Sequence, residues 1–179
     1  REELAEAVAI DDGPTALRFP KGAVIGSVPA VRRIGGVDVL REPELDEAVA
    51  LGDAGEPRVL LVCVGAFAEL GVAAAERLAA QGVAVTVVDP RWVLPIPDAL
   101  VGLAAGHQLV VTVSDSGRHG GFGSALADAL RATECDVPLR DLALPQEFLD
   151  HGNRPDVLAA VGLTAQDVAR RVTEWASAL

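Results

Sequence analysis

The run LVVTVSDSGRHGGFGSALADAL, residues 109–130, carries three kinds of segment in one unbroken order. Leu109 to Val113 is continuously apolar and mostly β-branched, the pattern of a strand covered on both faces. Residues 114–123 then supply four glycines, which allow tight bends and close approach of one backbone to another. From Phe122 or Gly123 onward Ala and Leu dominate and predict a helix. A strand feeding a helix through glycines can build an anion site at the helix N-terminus. It can equally be a packing device, and the spacing favours packing. GGFG is followed by Ser124 without a Lys-Ser/Thr pair, and no GxGxxG arrangement is present.

The same alternation recurs on both sides. Residues 59–64 read as a buried strand with a turn at Gly65, and residues 67–81 as a helix closed by Gly82. Residues 83–88 form a second buried strand, 98–105 a helix, and 137–144 a further strand stopped by Pro145. Helices at 155–161 and 164–178 follow, with Thr164 suited to N-cap the last one and Asp167 at its third position. Upstream the pattern is looser. Residues 1–10 predict an amphipathic helix with Leu4, Ala5 and Val8 on its apolar face, then a turn at 11–14 and a short strand at 15–19. Gly35-Gly36 within residues 34–40 predicts an edge strand, residues 41–51 have helical spacing in Leu45, Ala48 and Val49, and 52–57 read as loop.

Strands separated by helices imply right-handed crossovers and a mostly parallel sheet. The expected fold is therefore α/β, a mostly parallel sheet of about five strands flanked by helices. A domain boundary is expected within residues 23–33, and the natural chain is expected to start upstream of Arg1, because the first helix has neither Met nor an N-cap before it.

Composition narrows the function classes. Half of the 179 residues are hydrophobic but only 3% are aromatic, so the core must be built from Ala, Val and Leu. A net charge of −11 with no cluster of Lys or Arg argues against nucleic acid as a partner. Arg32-Arg33 and Arg170-Arg171 read as solvated surface. Cys63 sits in an apolar run and Cys135 stands apart, without metal-ligand spacing, which points to a reducing, cytoplasmic setting. No signal peptide or membrane-spanning stretch is recognisable.

Few residues suggest chemistry. His119 in the glycine turn could act as a base near neutral pH, but no Ser-His-Asp or Cys-His set assembles around it. His107 follows a helix end, where a cation would suit the dipole, and His151 lies in the DHGNRP loop; both read as structural. Asp89 occupies the place where a dinucleotide fold holds a ribose, yet the turn Gly65-Ala66-Phe67-Ala68 lacks the glycines that fold needs. Asp89-Pro90-Arg91 therefore reads as a chain exit with Asp89 capping a turn. Lys21 is an isolated cation before a glycine, with Arg18 three residues earlier. Either could hold a substrate phosphate by charge-assisted hydrogen bonds, and a surface salt bridge is the even alternative.

The segments GPTALRFPKG, VVDPRWVLPIP, LVVTVSDSGRHGGFGSAL and VPLRDLALPQEFLDHG, in this order, resemble the C-terminal part of the 1-deoxy-D-xylulose-5-phosphate synthase family, closest to actinobacterial members. LPQEFLDHG followed by GLTAQDVARRV is the most specific part of the resemblance. It implies a transketolase-like thiamine-diphosphate enzyme that condenses pyruvate with glyceraldehyde 3-phosphate, releases carbon dioxide, and feeds isoprenoid, thiamine and pyridoxal synthesis. Residues 1–30 would be the tail of a central pyrimidine-binding domain with its linker, and residues 31–179 a transketolase-like C-terminal domain supporting a homodimer. Thiamine diphosphate, Mg2+ and the catalytic residues would be held upstream of Arg1, leaving the chain inactive alone. Lys21 falls where the family usually carries an arginine that holds the aldehyde's phosphate, and Ser114 where it often carries an acid. Lys keeps the charge but loses the bidentate fork. The alternatives are the matching region of a transketolase or of a 2-oxo acid dehydrogenase β-subunit, or a stand-alone flavodoxin-like interaction module.

Overall fold

The computed structural model of the chain describes residues 2–21, 26–43 and 57–179. Its frame is set by four strands of short, branched apolar residues: β3 (Arg58–Cys63), β4 (Ala84–Asp89), β5 (Leu109–Gly117) and β6 (Leu139–Leu144). They pair in parallel, with β3 between β4 and β5, and β6 outside β5. Before them come β1 (Arg32–Ile34) and β2 (Val37–Arg41), a hairpin whose turn, Gly35-Gly36, has φ of 50° and 85° at its two positions. Positive φ at both turn residues matches the twist of a two-residue hairpin, and glycine adopts it without strain. β2 then pairs antiparallel with β4, giving a sheet ordered β1-β2-β4-β3-β5-β6. The expected single edge strand is thus two strands, and the sheet has six rather than five.

Alternation along the strands divides the core into two layers. Val59, Leu61 and Cys63 of β3 face one cluster, while Leu60 and Val62 face the other. The first cluster is closed by α2 (Ala68–Ala79) and α6 (Ala165–Ala176), the second by α3 (Asp98–Ala105) and α4 (Phe122–Ala132). α2 lies so close to the sheet that a Cβ on Gly71 would collide with Cys63 Sγ and stand 3.0 Å from Val87 Cγ1. The last two helices, α5 (Arg154–Ala160) and α6, are both capped. Asn153 accepts the Asp156 N–H, and Thr164 Oγ1 accepts the Asp167 N–H at 3.1 Å, the cap expected from the sequence. Cys63 is fully buried and Cys135 partly so, both as free thiols.

Three local expectations fail. β5 does not stop at Val113 but runs to Gly117, because β6 continues to pair with it across an irregularity, Gly117 opposite Leu144. The polar residues there are satisfied: buried Ser114 shares a 2.7 Å hydrogen bond with Ser116. Residues 15–19 form no strand, since no partner strand lies alongside them among the described residues. The first helix, α1 (Glu2–Ala9), turns its apolar residues outward, with Leu4 55% and Val8 77% exposed, and docks through its acids instead. Leu45, Ala48 and Val49, and the loop at 52–56, lie outside the described residues.

Candidate functional site

The chain leaves β3 through α2 on one face of the sheet and reaches β5 through α3 on the other, so its direction of travel reverses about β3. Loops diverge at such a reversal and open a crevice beyond the carboxyl ends of the strands. A cavity of about 610 Å³ lies there. Its floor is Val64, Gly65 and Ala66 after β3, Asp89 and the turn containing Arg91 after β4, and Asp115 of β5; its roof is α1 and residues 12–20.

Asp89 shapes the floor. Its Oδ1 accepts the Arg91 N–H at 3.0 Å, the turn cap expected from the sequence, and holds Arg91 at a φ of 59°. Left-handed backbone is uncommon outside glycine, so this contact fixes where the Arg91 side chain projects. Burial pushes the Asp89 carboxyl up, while hydrogen bonds from the Arg91 and Gly65 backbone pull it back. The Arg91 guanidinium, only 5% exposed, pairs with Asp38 and Glu2 at 3.3 Å each and with Glu6. Arg33 joins them through Glu2 at 3.0 Å and Asp38, and its hydrogen bond holds the Glu2 carboxyl below the usual range. α1 is thereby clamped over the cavity by charge. From the sequence Arg91 is expected only as part of a chain exit; an arginine directly after Asp-Pro at a strand's carboxyl end is the signal that it projects toward the crevice.

The expected anion contacts separate. Arg18 lines the cavity and pairs with Asp115 Oδ1 at 2.9 Å. Asp115 Oδ2 holds Arg154 at 3.0 Å, and the Arg154 guanidinium sits 5.3 Å above the buried Phe67 ring. Lys21 is exposed beyond Phe19-Pro20, outside the cavity lining, with no ion pair among the described residues.

The glycine turn is a packing device. Gly121 caps α4 from an extended conformation, and Phe122 N–H donates to Ser116 Oγ at 3.3 Å. A Cβ on Gly121 would strike the Gly117 carbonyl, and one on Gly123 the Asp141 carboxylate. The space beside the first turn of α4 is thus filled by the chain's own carboxylate, which accepts the Thr112 hydroxyl at 2.6 Å and is pushed up by burial. His119 and His151 are exposed. His107 is not the dipole-matched cation expected: burial lowers its pKa, Nδ1 bonds Leu103 O at 2.7 Å and Nε2 meets Thr86 Oγ1 at 3.1 Å.

A magnesium-bound diphosphate does not fit the described residues. They contain no group of three His, Cys, Asp or Glu placed as metal ligands, and the cavity's Asp89 and Asp115 are taken by backbone N–H groups and arginines. No helix among them is long and apolar enough to cross a membrane.

The family described as transketolase, C-terminal domain, matches residues 47–168. The 1-deoxy-D-xylulose-5-phosphate synthase of Saccharopolyspora erythraea is 65% identical over 175 residues, 98% of this chain and 26% of that protein. That of Rhodococcus jostii is 59% identical over 180 residues, again 26% of its length. The chain therefore spans about a quarter of these relatives. Among solved structures, one described as a split gene transketolase, inactive beta4 tetramer, superposes with a TM-score of 0.67 at 28% identity, covering 84% of this chain and 46% of that one.

Proposed function

This chain belongs to the transketolase C-terminal domain family, and we propose that it is the C-terminal portion of a 1-deoxy-D-xylulose-5-phosphate synthase. The observation that carries this reading is the 65% identity along 98% of the chain to the Saccharopolyspora erythraea synthase. The whole enzyme condenses pyruvate with glyceraldehyde 3-phosphate and releases carbon dioxide. Thiamine diphosphate supplies the carbon–carbon bond chemistry, and with Mg2+ it is bound by residues outside this chain. What this portion contributes is scaffold and charge. Residues 31–179 form the domain that supports a cytoplasmic homodimer, and residues 1–30 end the preceding domain. The first sheet residue, Arg32, falls just past that boundary.

Arg18 and Lys21 are the cations that hold the phosphate of glyceraldehyde 3-phosphate, Arg18 from the cavity wall and Lys21 from the exposed tip beyond it. Their positive charge offsets an otherwise acidic chain where an anionic substrate must approach. In the full-length enzyme, Lys21→Ala raises the apparent KM for glyceraldehyde 3-phosphate roughly tenfold, as expected for loss of a charge-assisted contact of about 1.5 kcal/mol. The KM for pyruvate moves less than twofold. Equal effects on both substrates remove Lys21 from the phosphate site. The chain of residues 1–179 alone, given thiamine diphosphate, magnesium and both substrates, forms no product; turnover by it sinks the reading.

A further inference from the structure

We propose that Asp115 is a positioning residue for the anion contact: it fixes Arg18 at the cavity mouth with part of the guanidinium left open toward the substrate's phosphate. This rests on the role of Arg18 given above.

The carboxylate is itself held from behind. Oδ2 is taken by Arg154 at 3.0 Å, and Arg154 lies over Phe67, a ring only 2% exposed in the core. Asp115 therefore cannot swing away without breaking a contact anchored to the core. Oδ1 takes one nitrogen of Arg18, Nη1, at 2.9 Å. A guanidinium has five N–H donors in a planar fork, so this single-point contact leaves the other edge available for a second, bidentate anion.

Arg18 needs such a tether. It sits on a segment without strand pairing, and its side chain is 75% exposed. An exposed ion pair adds little to folding stability, so stability alone does not explain the arrangement. Two guanidiniums share the one Asp115 carboxylate, both of whose oxygens are covered, so this corner offers the cavity the free edge of Arg18 and not a bare carboxylate. A phosphate ester arriving there meets Arg18 already oriented and Asp115 already neutralised.

The test is a double-mutant cycle in the full-length enzyme, with melting temperature followed for each variant. Asp115→Asn raises the apparent KM for glyceraldehyde 3-phosphate about fivefold, the ceiling for an exposed pair, and leaves the KM for pyruvate in place. Asp115→Glu, which keeps the charge, recovers part of the loss. Arg18→Ala raises the same KM, and adding Asp115→Asn to it costs nothing more. Arg154→Gln, which frees Asp115 without altering it, gives a smaller rise of the same kind and serves if Asp115→Asn does not fold. Additive effects in the double variant, or matching rises for both substrates, overturn the proposal. A lower KM in Asp115→Asn also overturns it, since Asp115 would then compete with phosphate for Arg18. An Arg18→Ala enzyme with unchanged KM brings down the anion site itself, a failure distinct from additivity.

Discussion

His107 illustrates what one buried titratable group does. The carbonyl of Leu103 can only accept, so Nδ1 carries the proton and Nε2, in the neutral ring, accepts the Thr86 hydroxyl. Protonating Nε2 would turn that acceptor into a second donor and place a charge in a half-buried site, which is why burial lowers the pKa from 6.5. The unfolded chain then binds more protons than the folded one between the lowered value and 6.5, so stability rises with pH across that window and is lost as pH falls below 6.5. Urea melts of the chain between pH 5 and pH 8 should have this slope, and His107→Ala should flatten it while losing roughly 1–2 kcal/mol at pH 8 from the unsatisfied Thr86 hydroxyl. Parallel wild-type and variant curves would exclude His107 as the source. The sequence displays His107 behind a helix end but not Thr86, 21 residues earlier, so its charge state was unreadable.

At the scale of elements, close helix–sheet approach sets which glycines are obligatory. Gly71 in α2 leaves no room for a Cβ between Cys63 and Val87, whereas a Cβ on Gly102 in α3 meets nothing within 4 Å. Alanine is favoured over glycine by about 1 kcal/mol in a helix interior, while overpacking a core costs about 1–3 kcal/mol. Gly102→Ala should therefore raise the urea midpoint and Gly71→Ala, whose Cβ meets a buried sulfur, lower it by a net of up to about 2 kcal/mol. The same sign for both would contradict the packing argument. Elements whose signal is local were legible beforehand: α3 has the expected bounds, Thr164 caps α6, and β3 and β4 lie within a residue of the apolar runs that define them. Elements that depend on a partner were not. Ser114-Asp115-Ser116 has turn composition and lies within β5 only because pairing with β6 resumes beyond it, Gly117 opposite Leu144. Residues 15–19 have strand composition and remain unpaired for want of a neighbour. The hairpin at Gly35-Gly36 needed φ signs at two glycines that a single expected strand did not use.

For the whole molecule, the candidate site could not be read from the sequence because it is made by segments far apart in the chain: Arg91 meets Glu6 across 85 residues and Arg18 meets Asp115 across 97. Residue chemistry offers Arg18 and Lys21 as anion contacts, and the family resemblance adds a phosphate role for Lys21 alone; only the fold reveals that Arg91 ties the cavity's roof to its floor. That tie has a measurable consequence. α1 is eight residues long and buries none of them, and a helix that short does not persist in water by itself. Besides a bond from the Thr15 hydroxyl to the Ala7 carbonyl, it is held by Glu2 and Glu6 on Arg33 and Arg91. Arg91 is the member shielded from solvent, so its pairs are the least screened by salt. Replacing it with Met keeps the apolar stem and removes the charge that both glutamates share. In the isolated chain, hydrogen exchange of amides 6–9, the ones bonded within the helix, should then quicken by about tenfold or more, a loss of at least roughly 1.4 kcal/mol of local protection. Amides of β3 and β5, which lie in the core, should keep their rates. High salt should quicken α1 in the wild type less than the substitution does, because only the exposed Arg33–Glu2 pair is well screened. If α1 exchanges as before in Arg91→Met, the roof is held by something other than this charge cluster; if protection falls throughout the sheet, Arg91 supports the fold as a whole and not the cavity's cover.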